Sequence, residues 1–346
     1  MSVGLTLPIV LAAVLMLALN LYVLFGGADF GGGVWDLLAS GPRRAAQREL
    51  IAATIGPIWE ANHVWLVLVV VVLFVCFPPA FARIAISLHI PISLMLVGVV
   101  LRGSAFTFRT YDSDHDTVQR RWGLIFAVAS VITPVLLGVT VGALTSGMVG
   151  ASTSGSFHTQ WIAPWLNPFA FSVGAFTLVL FAFLAAVYLT VEADDNAVRE
   201  DFRTRAIASA IAVGILAWVV IAIAQTSAPR IAEGLMSAPY SLPLHGVTAA
   251  IALTAIWALV TRRFGLARVT AALQVSLILW GWAYAQFPDL VPGAWTIQSA
   301  SAPEITLKLV IYGLTGGAII LVPSLLYLFR VFKGSRGAFE NVDAAR

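Results

Sequence analysis

Nine stretches of about 20 predominantly apolar residues follow one another along this chain of 346 residues. An apolar stretch of that length is what an α-helix needs to cross the hydrocarbon core of a bilayer. The sequence therefore predicts an all-α polytopic membrane protein with nine transmembrane helices, which we expect to pack as two four-helix bundles plus one helix. The predicted spans lie near residues 6–36, 50–77, 79–103, 121–145, 168–191, 204–226, 244–262, 267–287 and 305–331.

The composition agrees with a chain whose main partner is the lipid bilayer. Only 11% of its residues are charged and its mean hydropathy is +0.92, whereas a soluble domain has about 25% charged residues. Arginines in the loops account for the basic pI, and no basic patch is interleaved with stacking aromatic residues, so we expect no nucleic-acid partner. The loops are too short to form a further domain, and we predict a single transmembrane domain over residues 1–346.

The basic residues predict the orientation of the helices. Of the 20 Lys and Arg residues, only Arg83, Arg230 and Lys308 lie on one side of the predicted spans, and the other 17 lie on the opposite side. By the positive-inside rule, the N-terminus is outside and the C-terminus is cytoplasmic. An odd number of spans gives the same result independently.

Once the loops and the ends of the spans are set aside, few ionisable residues remain within the membrane, where a charged group costs roughly 2.5–3.5 kcal/mol. They are Asp29, Glu60, His63, His89 and, at a helix end, Arg102. Such residues usually face the protein interior and mark a site for an ion, a proton or a cofactor. We therefore look for the function of the chain among them.

The two carboxylates are predicted to lie in the cytoplasmic half of the membrane on neighbouring helices. At 1.5 Å per residue, Asp29 lies roughly 10 Å and Glu60 roughly 15 Å from the cytoplasmic side. Two acids at stepped depths suit a water-linked entry path for protons. The alternative for Asp29 is a structural acid that pairs with Arg102 or is capped by backbone groups.

The polar segment Trp59–Trp65 opens the second span. Glu60 and His63 share a helix face, but the chain has no second Glu-x-x-His, as a di-metal carboxylate site would require. His63 and His89 could be axial ligands of a haem between the second and third helices, since their predicted depths differ by about one helical turn. The alternative is two hydrogen-bonded core histidines. Trp59 and Trp65 flank the acid and either donate hydrogen bonds or fill space.

A glycine-rich run, Gly26–Gly33, interrupts the first span. A break in a membrane helix beside intramembrane acids is a feature of secondary transporters, which makes a proton-coupled transporter one alternative function. No inverted repeat of the first two spans supports it. Gly27 and Gly31 also have the Gly-x-x-x-Gly spacing that permits close helix contact.

These residues resemble subunit II of cytochrome bd-type quinol oxidases over nearly the whole chain. Glu60 stands where the family often has Asp, and the sequence Glu-Ala-Asn-His at residues 60–63 resembles the cyanide-insensitive branch. The segments that carry the resemblance are Gly27–Gly33, Ile55–Leu66, Leu73-Phe74, Phe77-Pro78, Arg102 with Phe106 and Arg109, Leu166–Phe169, Arg203–Ala206 and Val322-Pro323.

The resemblance implies a respiratory complex of the bacterial inner membrane that oxidises quinol and reduces dioxygen to water. It implies a partner, subunit I, that carries haem b together with haem d or a further haem b, and that contains the quinol site. It also implies that this chain can hold a structural quinone and that small single-helix accessory subunits can be present.

From the residues and the resemblance together, we hypothesise a cytoplasmic proton path that ends at the oxygen site of the partner. Asp29 and Glu60 relay protons, Asn62 and His63 support the relay, and Arg102 holds Asp29 or tunes its charge. Besides the transporter, a second alternative is a b-type membrane cytochrome that uses His63 and His89 as haem ligands.

Overall fold

The computed structural model describes residues 6–55, 59–111, 116–151 and 155–334, and these residues are almost entirely helical. A two-stranded antiparallel hairpin and a single π-helical turn, His158–Ile162, occur in the connections. The helices are α1 Leu7–Leu37, α2 Arg44–Ile55, α3 Trp59–Cys76, α4 Pro78–Ser87, α5 His89–Tyr111, α6 Asp116–Thr145, α7 Met148–Ala151, α8 Pro168–Glu192, α9 Asn196–Ser227, α10 Pro229–Met236, α11 Ser241–Val260, α12 Phe264–Gln286 and α13 Glu304–Gly334, and the strands are β1 Asp289–Val291 and β2 Trp295–Thr296.

Eight of the described helices are long and apolar enough to cross a membrane. A ninth span is obtained if α3 and α4, which meet at an angle of 118°, count as one broken span. The prediction of an all-α polytopic protein with about nine spans is therefore confirmed. In the described part of the chain, α8 packs against α1, α6 and α9, and α13 contacts α1 and α3, so the contacts do not separate the helices into two four-helix bundles.

Two predicted spans have different boundaries in the structure. The span at 50–77 combines the end of the polar helix α2 with α3, which begins only at Trp59. The span at 79–103 begins inside α4, whereas the helix that crosses the bundle is α5, His89–Tyr111. The physical reason for the second shift is the pair Pro78-Pro79, because proline is favoured in the first turn of a helix and α4 starts there.

The predicted break at Gly26–Gly33 does not occur, and this expectation was wrong. Helix α1 runs without interruption from Leu7 to Leu37. Its glycines make room for neighbouring helices: a Cβ atom on Gly27 would lie 2.8 Å from the Phe181 ring, and one on Gly31 would lie 2.0 Å from the Phe181 carbonyl oxygen. The Gly27–Gly31 spacing thus allows close contact between α1 and α8.

Helix α8 is the centre of the core. Every residue from Leu180 to Val187 is buried, although the helix lies in a membrane protein whose outer surface is also apolar. Asn167 caps its start by accepting a hydrogen bond from the Ala170 backbone N–H at 2.9 Å, and Pro168 occupies the first turn. The Asn-Pro pair in the sequence is therefore a helix start.

One end of the bundle is rich in arginine, and we call it the basic end; the sequence predicts it to be cytoplasmic. There Arg43 on the α1–α2 connection makes two hydrogen bonds to Asp201 of α9, at 2.8 and 2.5 Å. Gln47 of α2 donates to the same carboxylate at 2.8 Å and accepts from Arg205 at 2.8 Å. This network fixes α2 against the start of α9.

Candidate functional site

A buried carboxylate at the junction of α1 and α3 is the centre of the site. Asp29 is 5% exposed, and its Oδ2 accepts a hydrogen bond of 2.5 Å from the Asn62 amide, which is itself 2% exposed. Asp29 lies eight residues before the end of α1, so it is about 12 Å from the basic end of that helix. The structure therefore brings together Asp29 and Asn62, two of the residues predicted from sequence.

Arg102 of α5 provides the positive charge beside Asp29. Its guanidinium donates to the Asp29 backbone carbonyl at 2.9 Å and, through Nε, to the Ser130 hydroxyl at 3.2 Å. The rings of Phe30 and Phe126 lie against it, with centroids 4.7 and 5.1 Å from Cζ. Arg102 is thus held by the backbone of Asp29 and by aromatic faces, so it stays next to the carboxylate without a direct hydrogen bond to it.

Ser130 of α6 is a site residue that the sequence analysis missed. It is fully buried, and its hydroxyl donates to the Phe126 carbonyl at 2.7 Å while accepting from Arg102. A Cβ atom on Gly33 would lie 2.2 Å from its Oγ, so the glycine of α1 leaves the space that this hydroxyl fills. A serine in a membrane helix is too common to attract notice, and only the arginine opposite it gives it a role.

His63 follows Asn62 on α3 and packs among aromatic side chains of α1. Its ring centroid lies 6.1 Å from that of Tyr22 and 6.2 Å from that of Phe30. Tyr22 is 1% exposed, so this phenol is another buried polar group that the sequence analysis did not single out. His63 therefore lies close to the Asp29 cluster, and its supporting role in the relay stays a prediction.

Glu60 lies on a different face of α3 from Asn62. Its side chain is exposed on the surface of this chain, whereas Asn62 is buried. Two residues along a helix correspond to a rotation of about 200°, which explains why consecutive polar residues point in opposite directions. The two carboxylates therefore do not share one pocket within this chain.

The predicted step in depth between the two acids was also wrong. Asn62 bonds directly to Asp29, and Glu60 is only two residues, or about 3 Å, closer to the basic end. The 15 Å estimate counted residues from position 50 as if one helix ran through, but α2 ends at Ile55 and α3 begins at Trp59. Asp29 and Glu60 are thus nearly level in the membrane.

The structure separates the two histidines that were considered as haem ligands. His63 and Arg102 both contact Phe30, while His89 lies 13 residues before Arg102 on α5, which is about 20 Å along the helix. His89 packs instead against Trp161, with ring centroids 5.0 Å apart. The pair cannot bind one haem iron in this arrangement. The estimate of similar depths failed because it treated residues 79–103 as one helix, whereas α4 ends at Ser87 and His89 is the first residue of α5.

Trp65 and Trp59 are the remaining positions predicted from the sequence. Trp65 is half-buried and packs against the central core around α8. The side chain of Trp59 lies outside the described part of the structure, as do residues 56–58. In the described ranges, no group of three or more His, Cys, Asp or Glu side chains is placed to hold a metal ion.

The fold and the site define a class of protein: a polytopic membrane subunit with a buried acid, amide and guanidinium packed between its first, second and third long helices. A family model described as cytochrome bd terminal oxidase subunit II matches residues 7–332. This chain therefore belongs to the cytochrome bd oxidase subunit II family. It is a subunit of a quinol oxidase, an oxidoreductase complex of the bacterial inner membrane.

Individual relatives and a solved structure agree with this family. A Bacillus subtilis (strain 168) protein provisionally named cytochrome bd menaquinol oxidase subunit II is 23% identical over 323 residues, covering 90% of this chain and 91% of the relative. Cytochrome bd ubiquinol oxidase subunit 2 of the same organism is 30% identical over 158 residues, 45% of each chain. The bd oxidase of Geobacillus thermodenitrificans has the same fold, with a TM-score of 0.79 and 23% identity over 95% of this chain and 99% of that one.

Proposed function

We propose that this chain carries protons from the cytoplasm toward the oxygen-reducing site of subunit I, and that it also forms the scaffold on which subunit I packs. The observation that supports the proposal most directly is the buried Asp29, bonded to Asn62 and adjacent to Arg102. Reduction of dioxygen to water consumes four protons and four electrons. A carboxylate held inside the membrane by an amide and a nearby cation is suited to take up and release a proton.

The exposed face of α3 supports the scaffold role. Glu60, Val64, Val67, Val71 and Phe74 recur at intervals of three or four residues and all lie exposed on the surface of this chain. A stripe with this spacing is typical of helices that pack against a partner helix. Glu60 would be costly if it faced lipid at this depth, so we assign the stripe to the contact with subunit I.

With this arrangement, the two acids have different roles in one path. Asp29 holds a proton inside this chain, and Glu60 presents a carboxylate at the boundary with subunit I. Asp29 of α1 contacts the buried face of α3, whereas Glu60 is exposed on another face of α3. Asn62, which bonds to Asp29, and the adjacent His63 connect the two acids. Arg102 donates a hydrogen bond to the Asp29 backbone carbonyl and so stays beside the carboxylate. If quinol releases its protons on the outer side, uptake from the cytoplasm generates a membrane potential.

The cofactors follow from the family and belong to the partner. Haems carry the electrons in a bd oxidase, and from the family resemblance we assign haem b and haem d, or a further haem b, to subunit I. The relatives' names mention menaquinol and ubiquinol, and we propose a quinol as the electron donor. A structural quinone in this chain and small single-helix accessory subunits stay predictions from the resemblance.

The alternative functions lose the features that favoured them. The transporter interpretation used a broken first helix, and α1 is continuous. The self-contained cytochrome used His63 and His89, which lie about 20 Å apart along the bundle.

Replacement of Glu60 by Gln tests the role of the boundary carboxylate. We expect the purified Glu60→Gln complex to retain its haem spectrum and to consume oxygen at least about tenfold more slowly, because loss of a positioned proton-transfer group typically costs 10²–10⁴-fold. Glu60→Asp, which keeps the carboxylate, should restore most of the rate. Glu49→Gln, at an exposed glutamate of α2, is the matched control and should respire normally. Wild-type turnover by an assembled Glu60→Gln complex would contradict the proposed role.

A further inference from the structure

We propose that Ser130 of α6 is a positioning residue for Asp29: it keeps the Arg102 guanidinium on the main chain of Asp29 and so leaves one carboxylate oxygen, Oδ1, uncovered. This inference rests on the proposed function, because a carboxylate that exchanges protons needs an accessible oxygen. It goes beyond that function by naming the group that holds the cation away from the acid.

The hydrogen bonds of Ser130 have only one possible direction. A carbonyl oxygen can only accept and a guanidinium can only donate. The hydroxyl therefore gives its hydrogen to the Phe126 carbonyl at 2.7 Å and accepts from Arg102 Nε at 3.2 Å. On the α1 side, a Cβ atom on Gly33 would lie 2.2 Å from both Cβ and Oγ of the serine. The serine thus offers the arginine an acceptor at a fixed place in the closely packed α1–α6 contact.

The other end of the guanidinium is bonded to the backbone of α1. Arg102 Nη2 donates to the Asp29 carbonyl at 2.9 Å. The rings of Phe30 and Phe126 lie against the same group, with centroids 4.7 and 5.1 Å from Cζ. The guanidinium is therefore fixed by a serine at Nε, by a main-chain carbonyl at Nη2 and by two aromatic rings.

The Asp29 carboxylate has one oxygen engaged. Oδ2 accepts from the Asn62 amide at 2.5 Å, and no residue in the described ranges donates a hydrogen bond to Oδ1. A guanidinium and a carboxylate normally pair through two parallel hydrogen bonds, which are among the stronger bonds in proteins. Since the carbonyl and the carboxylate belong to one residue, a small rotation would bring Arg102 onto the carboxylate. Ser130 opposes this rotation by holding Nε.

Loss of the serine hydroxyl should therefore allow the direct ion pair to form. In Ser130→Ala, Arg102 Nε loses its acceptor in a buried place, where an unpaired N–H is costly. The Asp29 carboxylate is a stronger acceptor within reach. A carboxylate with both oxygens covered must first break this pair before it can exchange a proton, and turnover becomes slower.

A serine that only satisfies a buried N–H group gives different expectations. In that case Ser130→Ala lowers the stability of the complex, but Arg102 stays on the Asp29 carbonyl. Oxygen consumption per haem in the assembled complex is then unchanged, so the position of the guanidinium and the rate separate the two roles.

The structure of the purified two-subunit Ser130→Ala complex, determined by electron cryo-microscopy, tests the position directly. We expect Arg102 within about 3 Å of the Asp29 carboxylate and oxygen consumption per haem lowered at least about tenfold, as for loss of a hydrogen bond to a charged group.

The matched control is Ser209→Ala. Ser209 of α9 is also buried and donates to the Arg205 carbonyl one turn earlier at 2.7 Å, but no arginine side chain in the described ranges donates to it. The substitution should leave turnover and the Arg102 position unchanged.

A double-mutant cycle shows whether Ser130 acts through the arginine. In the Arg102→Lys background there is no guanidinium to reposition, so Ser130→Ala should change the rate by less than about twofold. A local packing defect would instead cause the same loss in both backgrounds, and that result would count against the inference.

The inference is overturned if Arg102 remains on the Asp29 carbonyl in Ser130→Ala, or if that complex consumes oxygen at the wild-type rate. Its failure can be told apart from failure of the proton path. If Asp29→Asn is slow while Ser130→Ala respires normally, only this inference fails; if both respire normally, the proposed proton path fails with it.

Discussion

Replacement of Asp29 by Asn is expected to leave a complex that assembles with its haems but consumes oxygen at least about 100-fold more slowly than wild type. Asn has nearly the shape of Asp, so it fits between Asn62 and Arg102 in the same space. It cannot hold and release a proton near neutral pH. Because the carboxylate is buried and bonded to Asn62 at 2.5 Å, the substitution acts directly on this buried site.

The control for this prediction lies on the same helix. Asp36 is a second buried acid of α1, located 3.6 Å from Arg48 at the basic end. Asp36→Asn removes that ion pair and should lower the stability of the complex while leaving most of the turnover. The prediction is wrong if Asp29→Asn respires at the wild-type rate, or if Asp29→Asn and Asp36→Asn slow respiration equally in assembled complexes.

The second large effect is expected from a single methyl group on α1. Gly31→Ala places a Cβ atom 2.0 Å from the carbonyl oxygen and 2.5 Å from the carbonyl carbon of Phe181. These are backbone atoms of the central helix α8, which cannot rotate away as a side chain can. The two helices must separate, and this disturbs the contact that also positions Asp29. We expect a loss of about 3 kcal/mol or more, at the upper end of the cost of overpacking.

Thermal denaturation of the detergent-purified complex, followed by loss of the haem spectrum, measures this effect. Gly214→Ala is the matched control, because Gly214 lies within the spanning helix α9 and has no atom within 4 Å of a Cβ position. It should be neutral or slightly stabilising, since alanine favours helix. Equal stability of Gly31→Ala and Gly214→Ala would show that α1 and α8 are not in close contact.

The fold could be predicted from the sequence as far as hydropathy determines it. Apolar stretches of about 20 residues gave the number of spans and the helical class, because the bilayer imposes that length. The positions at which a helix is interrupted were harder to predict. Gly26–Gly33 was expected to interrupt α1, but glycine in a membrane helix can also serve close packing, and the distinction depends on the Phe181 backbone of α8.

The site was predicted in part, for a related reason. Asp29, Asn62 and Arg102 were found because polar groups are conspicuous in an apolar run. Ser130 and Tyr22 were missed, since serine and tyrosine are ordinary in membrane helices. The direction of Glu60 could not be predicted either, because α3 is apolar on all sides after its first turn, and hydropathy then contains no information about which face is buried.

The most direct measurement is time-resolved proton uptake when the fully reduced complex reacts with oxygen. The electrons are already on the haems in this experiment, so the quinol step does not contribute. A pH-sensitive dye on the cytoplasmic side of proteoliposomes should report rapid uptake by wild type and by Asp36→Asn, and uptake slowed at least about 100-fold by Asp29→Asn. Uptake by the Asp29→Asn complex at the wild-type rate would show that protons reach the oxygen site by a path that does not include the buried acid of this chain.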